Sequence, residues 1–300
     1  MRIGYPCINR SIGCSANRSF RLKSYSEEKL IETVENNLDC LEVILRDNVD
    51  HSLLFFRISS DLVPFASHPV NTFPWHTHFQ SKLRQIGTFI RENDIRISMH
   101  PDQFTLINSP KQNVHQRSVS ELQYHARVLE AMDLDDQAKI QIHVGGIYGD
   151  KNRSKKRFVK RYKALDPFIR KRLVIENDDR CYHVQDCLDL HQDTGVPLLF
   201  DTFHHVVFNG GNTSSMAGIF RKVRKTWANN DGVPMVDYSS QQPGEKPGKH
   251  AQTIDVENFL ATVEALDDCD VDIMLEIKDK EKSARKAFSK LQTFLSGQKF

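Results

Sequence analysis

No apolar stretch of membrane-spanning length occurs in the 300 residues, and the opening MRIGYPCINR lacks the apolar run of a secretion signal. Export and membrane insertion are therefore not expected. The six cysteines (Cys7, Cys14, Cys40, Cys181, Cys187 and Cys269) form no CxxC pair, which argues against a sulfur-bound structural zinc. A chain of this size does not need a disulfide framework, so they are expected as reduced thiols in a cytoplasmic protein. Also missing are a GxSxG elbow, a Walker-type phosphate loop and a strand-linked GxGxxG. Acyl transfer, nucleotide hydrolysis and dinucleotide binding thereby lose their usual anchors. Net charge is small, a formal +2, yet eleven lysines and arginines crowd the stretch from Lys151 to Arg172. Such a run is either a solvated helix face or a surface for phosphates.

What is present is an alternation. Hydrophobic residues make up 39% and charged residues 27%, as in a globular chain, and the length fits an α/β barrel, which needs roughly 250 residues. Short apolar, β-rich runs are expected as strands at Arg2 to Tyr5, Leu53 to Ile58, Ile95 to His100, Lys139 to Val144, Leu173 to Glu176, Pro197 to Asp201, Val233 to Asp237 and Asp272 to Glu276. Between them lie helical patterns at Glu27 to Leu45, Phe79 to Arg91, Val114 to Ala131, His183 to His191, Ser214 to Trp227, Val256 to Leu266 and Ala284 to Leu295. Ser26 and Asp255 are placed to cap two of them. Gln241 to Lys249, rich in Gly, Pro and Gln, reads as a loop. The expected fold is an α/β (β/α)8 TIM barrel, a single domain over residues 1–300.

The chemistry is carried by how these strands end. ISMH, IQIH, LVIE, LLFD, PMVD and IMLE each close an apolar run on an imidazole or carboxylate: His100, His143, Glu176, Asp201, Asp237 and Glu276. Strand C-termini form the reactive face of such a barrel, so these groups are expected to converge. Several carboxylates a few ångströms apart cannot all stay ionised without cations, and imidazole with carboxylate suits Zn2+ or Mn2+. His204 in DTFHH and His250 in GKH, on the loops after two of these strands, extend the ligand set. His51, His68, His76, His78, His115, His125, His183 and His191 fall outside the pattern and read as surface, capping or packing residues; His205, beside His204, fits either group. The pair Gly145-Gly146 reads equally as a turn or as a place where backbone must approach closely.

The segments YPCINRSIGCSANRSFRL, SMHPDQF, IHVGGIYGDK, IENDD, FDTFHH, DYSSQ and MLEIKDKE resemble, in order and over nearly the whole chain, those of the UV damage endonuclease family. That family is related to endonuclease IV in barrel fold and metal-site layout. The resemblance implies that His100, His143, Glu176, Asp201, His204, Asp237, His250 and Glu276 hold about three divalent ions, with Glu176 the bridging carboxylate and Glu176, His100, His143, Asp201 and Glu276 as the catalytic set. It implies a metal-dependent endodeoxyribonuclease of excision repair, acting on damaged double-stranded DNA. The cut would fall 5′ of cyclobutane pyrimidine dimers, 6-4 photoproducts and abasic sites, leaving a 3′ hydroxyl and a 5′ phosphate. Gln103 and Phe104 match its lesion-probing pair, Tyr5 and Asn9 its damage pocket, and Lys151 is placed to anchor the phosphate backbone. No membrane and no obligate protein partner are implied.

One departure stands out. The family commonly has a histidine where Asp237 stands and a lysine at the place of Met235. An added carboxylate favours a harder ion, Mn2+ over Zn2+, with Zn2+ and Mg2+ still possible, while Met235 replaces neither the charge nor the ligand of a lysine. Two other functions fit the bare pattern: a metal-dependent sugar isomerase or epimerase on the same barrel, and a damage-binding protein that no longer cuts.

Overall fold

The computed structural model describes residues 1–211, 216–266 and 270–297. Eight parallel strands close into a barrel in chain order: β1 (Ile3–Pro6), β2 (Phe55–Ile58), β3 (Arg96–Met99), β4 (Lys139–His143), β5 (Leu173–Glu176), β6 (Leu198–Asp201), β7 (Met235–Tyr238) and β8 (Asp272–Leu275), with β8 pairing back onto β1. All eight expected strands form, most of them one or two residues shorter than expected. Gly4 lets β1 close on β2, since a Cβ there would lie 2.2 Å from the Phe55 carbonyl oxygen.

Around the barrel run α1 (Glu27–Asp50), α2 (Trp75–His78), α3 (Gln80–Glu92), α4 (Gln112–Ala131), α5 (Lys151–Ala164), α6 (Pro167–Arg170), α7 (Val184–Thr194), α8 (Thr202–Phe208), α9 (Met216–Arg224), α10 (Val256–Ala265) and α11 (Glu281–Gly297). Ser26 accepts from the Lys29 amide and Asp255 from the Asn258 amide, as their positions require of N-caps. Ser214 and Ser215, the expected start of α9, lie outside the described residues, as does Cys269. None of the described helices is long and apolar enough to cross a membrane.

The thiol expectation needs correcting: Cys14 and Cys40 form a disulfide that fastens the loop after β1 to α1, whereas Cys7, Cys181 and Cys187 are free. Their separation of 26 residues carries no signature, and only the packing of the loop against the helix brings the pair together.

Inside the barrel, the pleat sorts residues by height. Phe55, Val174, Leu199, Met235 and Met274 form a buried apolar layer of their own. Side chains two apart on a strand share a face, so Arg57, Glu176, Asp201, Asp237 and Glu276 stand directly above that layer, toward the strand C-termini. Met235 is thus part of the floor beneath the polar groups.

On the outside of β3, His125 of α4 is fully buried, its Nδ1 facing the Glu121 carbonyl and its Nε2 the Ser60 hydroxyl 3.0 Å away. Burial pulls its pKa down from 6.5 to about 4. In the unfolded chain the ring binds a proton near its ordinary value. Stability from this site is therefore intact above about pH 6.5 and falls by roughly 3 kcal/mol as the pH drops toward 4. Urea titrations across that window should show a shallower pH dependence for His125→Gln than for the parent chain. Parallel curves would exclude this origin of acid sensitivity.

Candidate active site

Six strand ends deliver their polar groups to one rim. Glu176, 1% exposed, is the last residue of β5 and lies at the centre. His100 Nε2 lies 3.3 Å from its Oε2 and His143 Nε2 3.9 Å from the same atom, while His204 Nδ1 lies 3.2 Å from Oε1. The three imidazoles outweigh the cost of burial, His143 foremost, and hold the Glu176 carboxyl well below its usual range.

Asp201 has two tasks. As the last residue of β6 it caps α8, its Oδ1 accepting from the His204 amide at 2.6 Å. The first turn of that helix then returns the His204 ring to within 3.3 Å of Asp201 Oδ2. His204, expected on a loop, is therefore held by a helix whose cap is its own partner. Burial opposes charge on the ring, but Asp201 and Glu176 raise it to about 11. Burial, with Glu176, Glu276 and Asp237 nearby, pushes Asp201 well up despite His204.

His250 reaches the rim from the loop after β7. That loop has no helix or strand, as expected, and Gln241 braces it by donating to the carbonyls of Gln242, Glu245 and Lys246. The His250 Nδ1 faces the Glu276 carbonyl at 2.9 Å. A carbonyl can only accept, so Nδ1 carries the proton and Nε2 keeps its lone pair, the arrangement usual for a metal ligand.

Among the described residues, ligand atoms lie close enough to share a metal ion in three groups: His100, His143 and Glu176; Glu176, Asp201 and His204; Asp201, Asp237 and Glu276. The first two combine imidazole and carboxylate, the donor set of a Zn2+ or Mn2+ site. Among the described residues, the buried Nδ1 atoms of His100 and His143 have no hydrogen-bond partner, and the two rings rest against each other and face the Glu176 carboxylate. The third group differs: it is all carboxylate, and a guanidinium is already among its members. Arg57, 3% exposed on β2, donates through Nη2 to both oxygens of Asp237 at 2.8 and 2.7 Å and through Nη1 to Glu276. Gln141 of β4 donates to Asp237 at 2.7 Å and Glu176 at 2.8 Å, and accepts from Arg57 at 2.7 Å. Burial raises Asp237 to about 7 even beside Arg57; burial resists ionisation of Glu276 too, but Arg57 holds it at about 2.

A barrel with such a rim could serve several chemistries, and relatives narrow the choice. The model of the family described as UV-endonuclease UvdE matches residues 1–298. The chain belongs to the UV-endonuclease UvdE family. A UV DNA damage endonuclease of Clostridium perfringens is 40% identical over 97% of this chain and 71% of its own length. The crystal structure of SacUVDE is 46% identical with a TM-score of 0.93, covering 98% of this chain and 99% of that one. Endonuclease IV from Thermus thermophilus, at 14% identity, a TM-score of 0.59 and coverage of 99% and 100%, shares the barrel fold.

Of the residues expected from the sequence to contact the lesion or DNA, Phe104 stands out with 72% exposure, at the tip of the loop after β3 beside an exposed Gln103. The loop is braced rather than free. Asn108 donates to the Gly146 carbonyl at 2.9 Å, and Arg157 Nε donates to the Asn108 carbonyl at 2.5 Å. A Cβ on Gly145 would lie 2.3 Å from Asn108 Oδ1, so the glycine pair serves close approach between two loops.

Tyr5 and Asn9 are both buried, Asn9 donating to the Tyr5 hydroxyl and to Asp47, and Tyr5 donating to Asn48. Lys151 is tied to Asp186 at 2.5 Å. The basic run divides in the same manner: Arg157 and Arg161 staple the β3 loop and Arg172 is buried among carbonyls, while Arg153, Lys156, Lys160 and Lys163 face solvent.

Arg57 and Gln141 were missed from the sequence. Their signal is a charged and an amide residue within the short, buried runs FFRI and KIQIH.

Proposed function

We propose that this chain is a DNA repair endonuclease that nicks duplex DNA immediately 5′ of cyclobutane pyrimidine dimers, 6-4 photoproducts and abasic sites. The observation that carries the reading is the convergence of three imidazoles on Glu176, at a rim that also presents an exposed Phe104. His100, His143, Glu176, Asp201 and His204 hold divalent ions, Mn2+ favoured, with His250 and Glu276 at their edge. Such ions supply Lewis-acid activation of the phosphodiester and of the attacking water. The chain positions the rest. Glu176 fixes the imidazoles in register, Asp201 orients His204, and the rim keeps the scissile phosphate in line so that the 3′ oxygen departs as a hydroxyl.

A lesion already weakens stacking, so it is cheaper to extrude than a normal pair, and a planar ring filling the gap recovers part of the cost. Phe104, projecting with Gln103, is placed for this. Arg153, Lys156, Lys160 and Lys163 offer charge to the phosphate backbone more freely than Lys151 does. The protein acts in the cytoplasm, on the nucleoid if the cell is bacterial.

The test is a supercoiled-plasmid assay with and without UV and with and without chelator. Nicking that needs both irradiation and Mn2+ is expected; equal nicking of irradiated and intact plasmid would defeat the proposal. Phe104→Ala should lower the preference for a dimer-containing duplex over its intact counterpart on the order of tenfold to a hundredfold, the worth of one aromatic–base stack. Fluorescence anisotropy on the two duplexes measures this, and an unchanged ratio would remove Phe104 from lesion recognition.

A further inference from the structure

We propose that this rim binds two divalent ions and that the buried guanidinium of Arg57 takes the place of a third, so that Asp237 serves as a counter-charge and not as a metal ligand. The inference rests on the metal-dependent reading above and departs from the count of about three that family resemblance implies.

Its basis is the hydrogen-bond inventory. Asp237 is fully buried, and both its oxygens are engaged by Arg57, with a further bond from Gln141 to Oδ2. Nη1 of Arg57 is spent on Glu276, while its buried Nε has no hydrogen-bond partner among the described residues. Guanidinium does not lose its proton in a protein, so an ion entering between Asp237 and Glu276 would face a fixed positive charge at hydrogen-bond range. Arg57 has nowhere else to go: beneath it lies the apolar layer of Phe55, Val174, Leu199, Met235 and Met274. Displaced from its carboxylates, it would be a buried charge with Gln141 alone for company, which is strongly unfavourable. The first two ligand groups contain no guanidinium and offer imidazole nitrogens to an ion.

Charge count agrees. Glu176, Asp201, Asp237 and Glu276 bring four negative charges when ionised and Arg57 one positive, leaving three; two divalent ions overbalance these by one, three ions by three. Gln141 completes the arrangement by bonding to Asp237 and Glu176 at once, linking the paired half of the rim to the metal-binding half.

Metal content of the purified full chain, loaded with Mn2+, freed of excess ion and measured by inductively coupled plasma mass spectrometry, decides the matter. Two ions per chain are expected for the parent and for Asp237→Asn. Arg57→Met, which vacates the guanidinium position, should rise to three. Three ions in the parent, or a fall to one in Asp237→Asn, would overturn the assignment of Arg57 while leaving metal-dependent nicking intact. An unchanged count in a folded Arg57→Met protein would overturn it equally. No bound Mn2+ together with no nicking would instead bring down the proposed function, and this inference with it.

Discussion

Glu176→Gln is expected to cut UV-dependent nicking on the order of 10³-fold, while binding of the damaged duplex survives. Glutamine keeps the volume and one acceptor of the carboxylate, so the fold around β5 has no reason to change. What disappears is the negative charge that His100, His143 and His204 converge on. Metal-based stabilisation of a phosphodiester transition state contributes several kcal/mol, and each 1.36 kcal/mol is about tenfold in rate, hence the magnitude. On the proposed function, duplex affinity is drawn from Phe104 and exposed basic residues and not from this carboxyl. A gel nicking assay beside an anisotropy titration reads the two effects separately. Activity within tenfold of the parent would show that Glu176 is not the centre of the reacting site.

The barrel and most of its rim were legible because two independent regularities coincide. Strand spacing follows from apolar runs ended by turns, and the last inward residue of each run must face the barrel axis. ISMH, IQIH, LVIE, LLFD and IMLE therefore announce both a strand and a polar group on the rim. What a run cannot disclose is the partner its residues meet across the fold. Asp237 ends an apolar run like the others, yet its partner is set by Arg57 across the barrel, 180 residues away in sequence. Nothing local in PMVD reveals a buried cation. The Cys14–Cys40 bond likewise depends on how one loop lies on α1. Tyr5 and Asn9 were assigned by resemblance, and their burial follows from Asp47 and Asn48 on the same helix, which draw both side chains inward. The basic run looked uniform because charge in sequence does not disclose whether a guanidinium meets water or a carbonyl.

Arg57→Met should be the most destabilising single change in the rim when measured without metal. Methionine matches the floor it would sit on, next to Met235 and Met274, so loss of packing is small. Loss of charge is not. Removing one partner of a buried ion pair leaves the other uncompensated, at a cost of about 3–5 kcal/mol. Asp237 is already raised to about 7 with Arg57 in place, and without it would rise further and protonate more readily. The sign follows: a carboxyl whose folded value lies above its unfolded value destabilises increasingly as pH climbs between the two. Urea denaturation of chelator-treated protein should therefore show a deficit that grows from acid to neutral pH. Adding Asp237→Asn should recover most of it, because neutral asparagine needs no counter-charge, and the double-mutant cycle reads the coupling directly. Mn2+ should rescue the single variant more than the parent, since a divalent ion can then stand where the guanidinium did. A pH-independent loss of stability that Asp237→Asn leaves unchanged would mean that Arg57 supports this rim through shape alone.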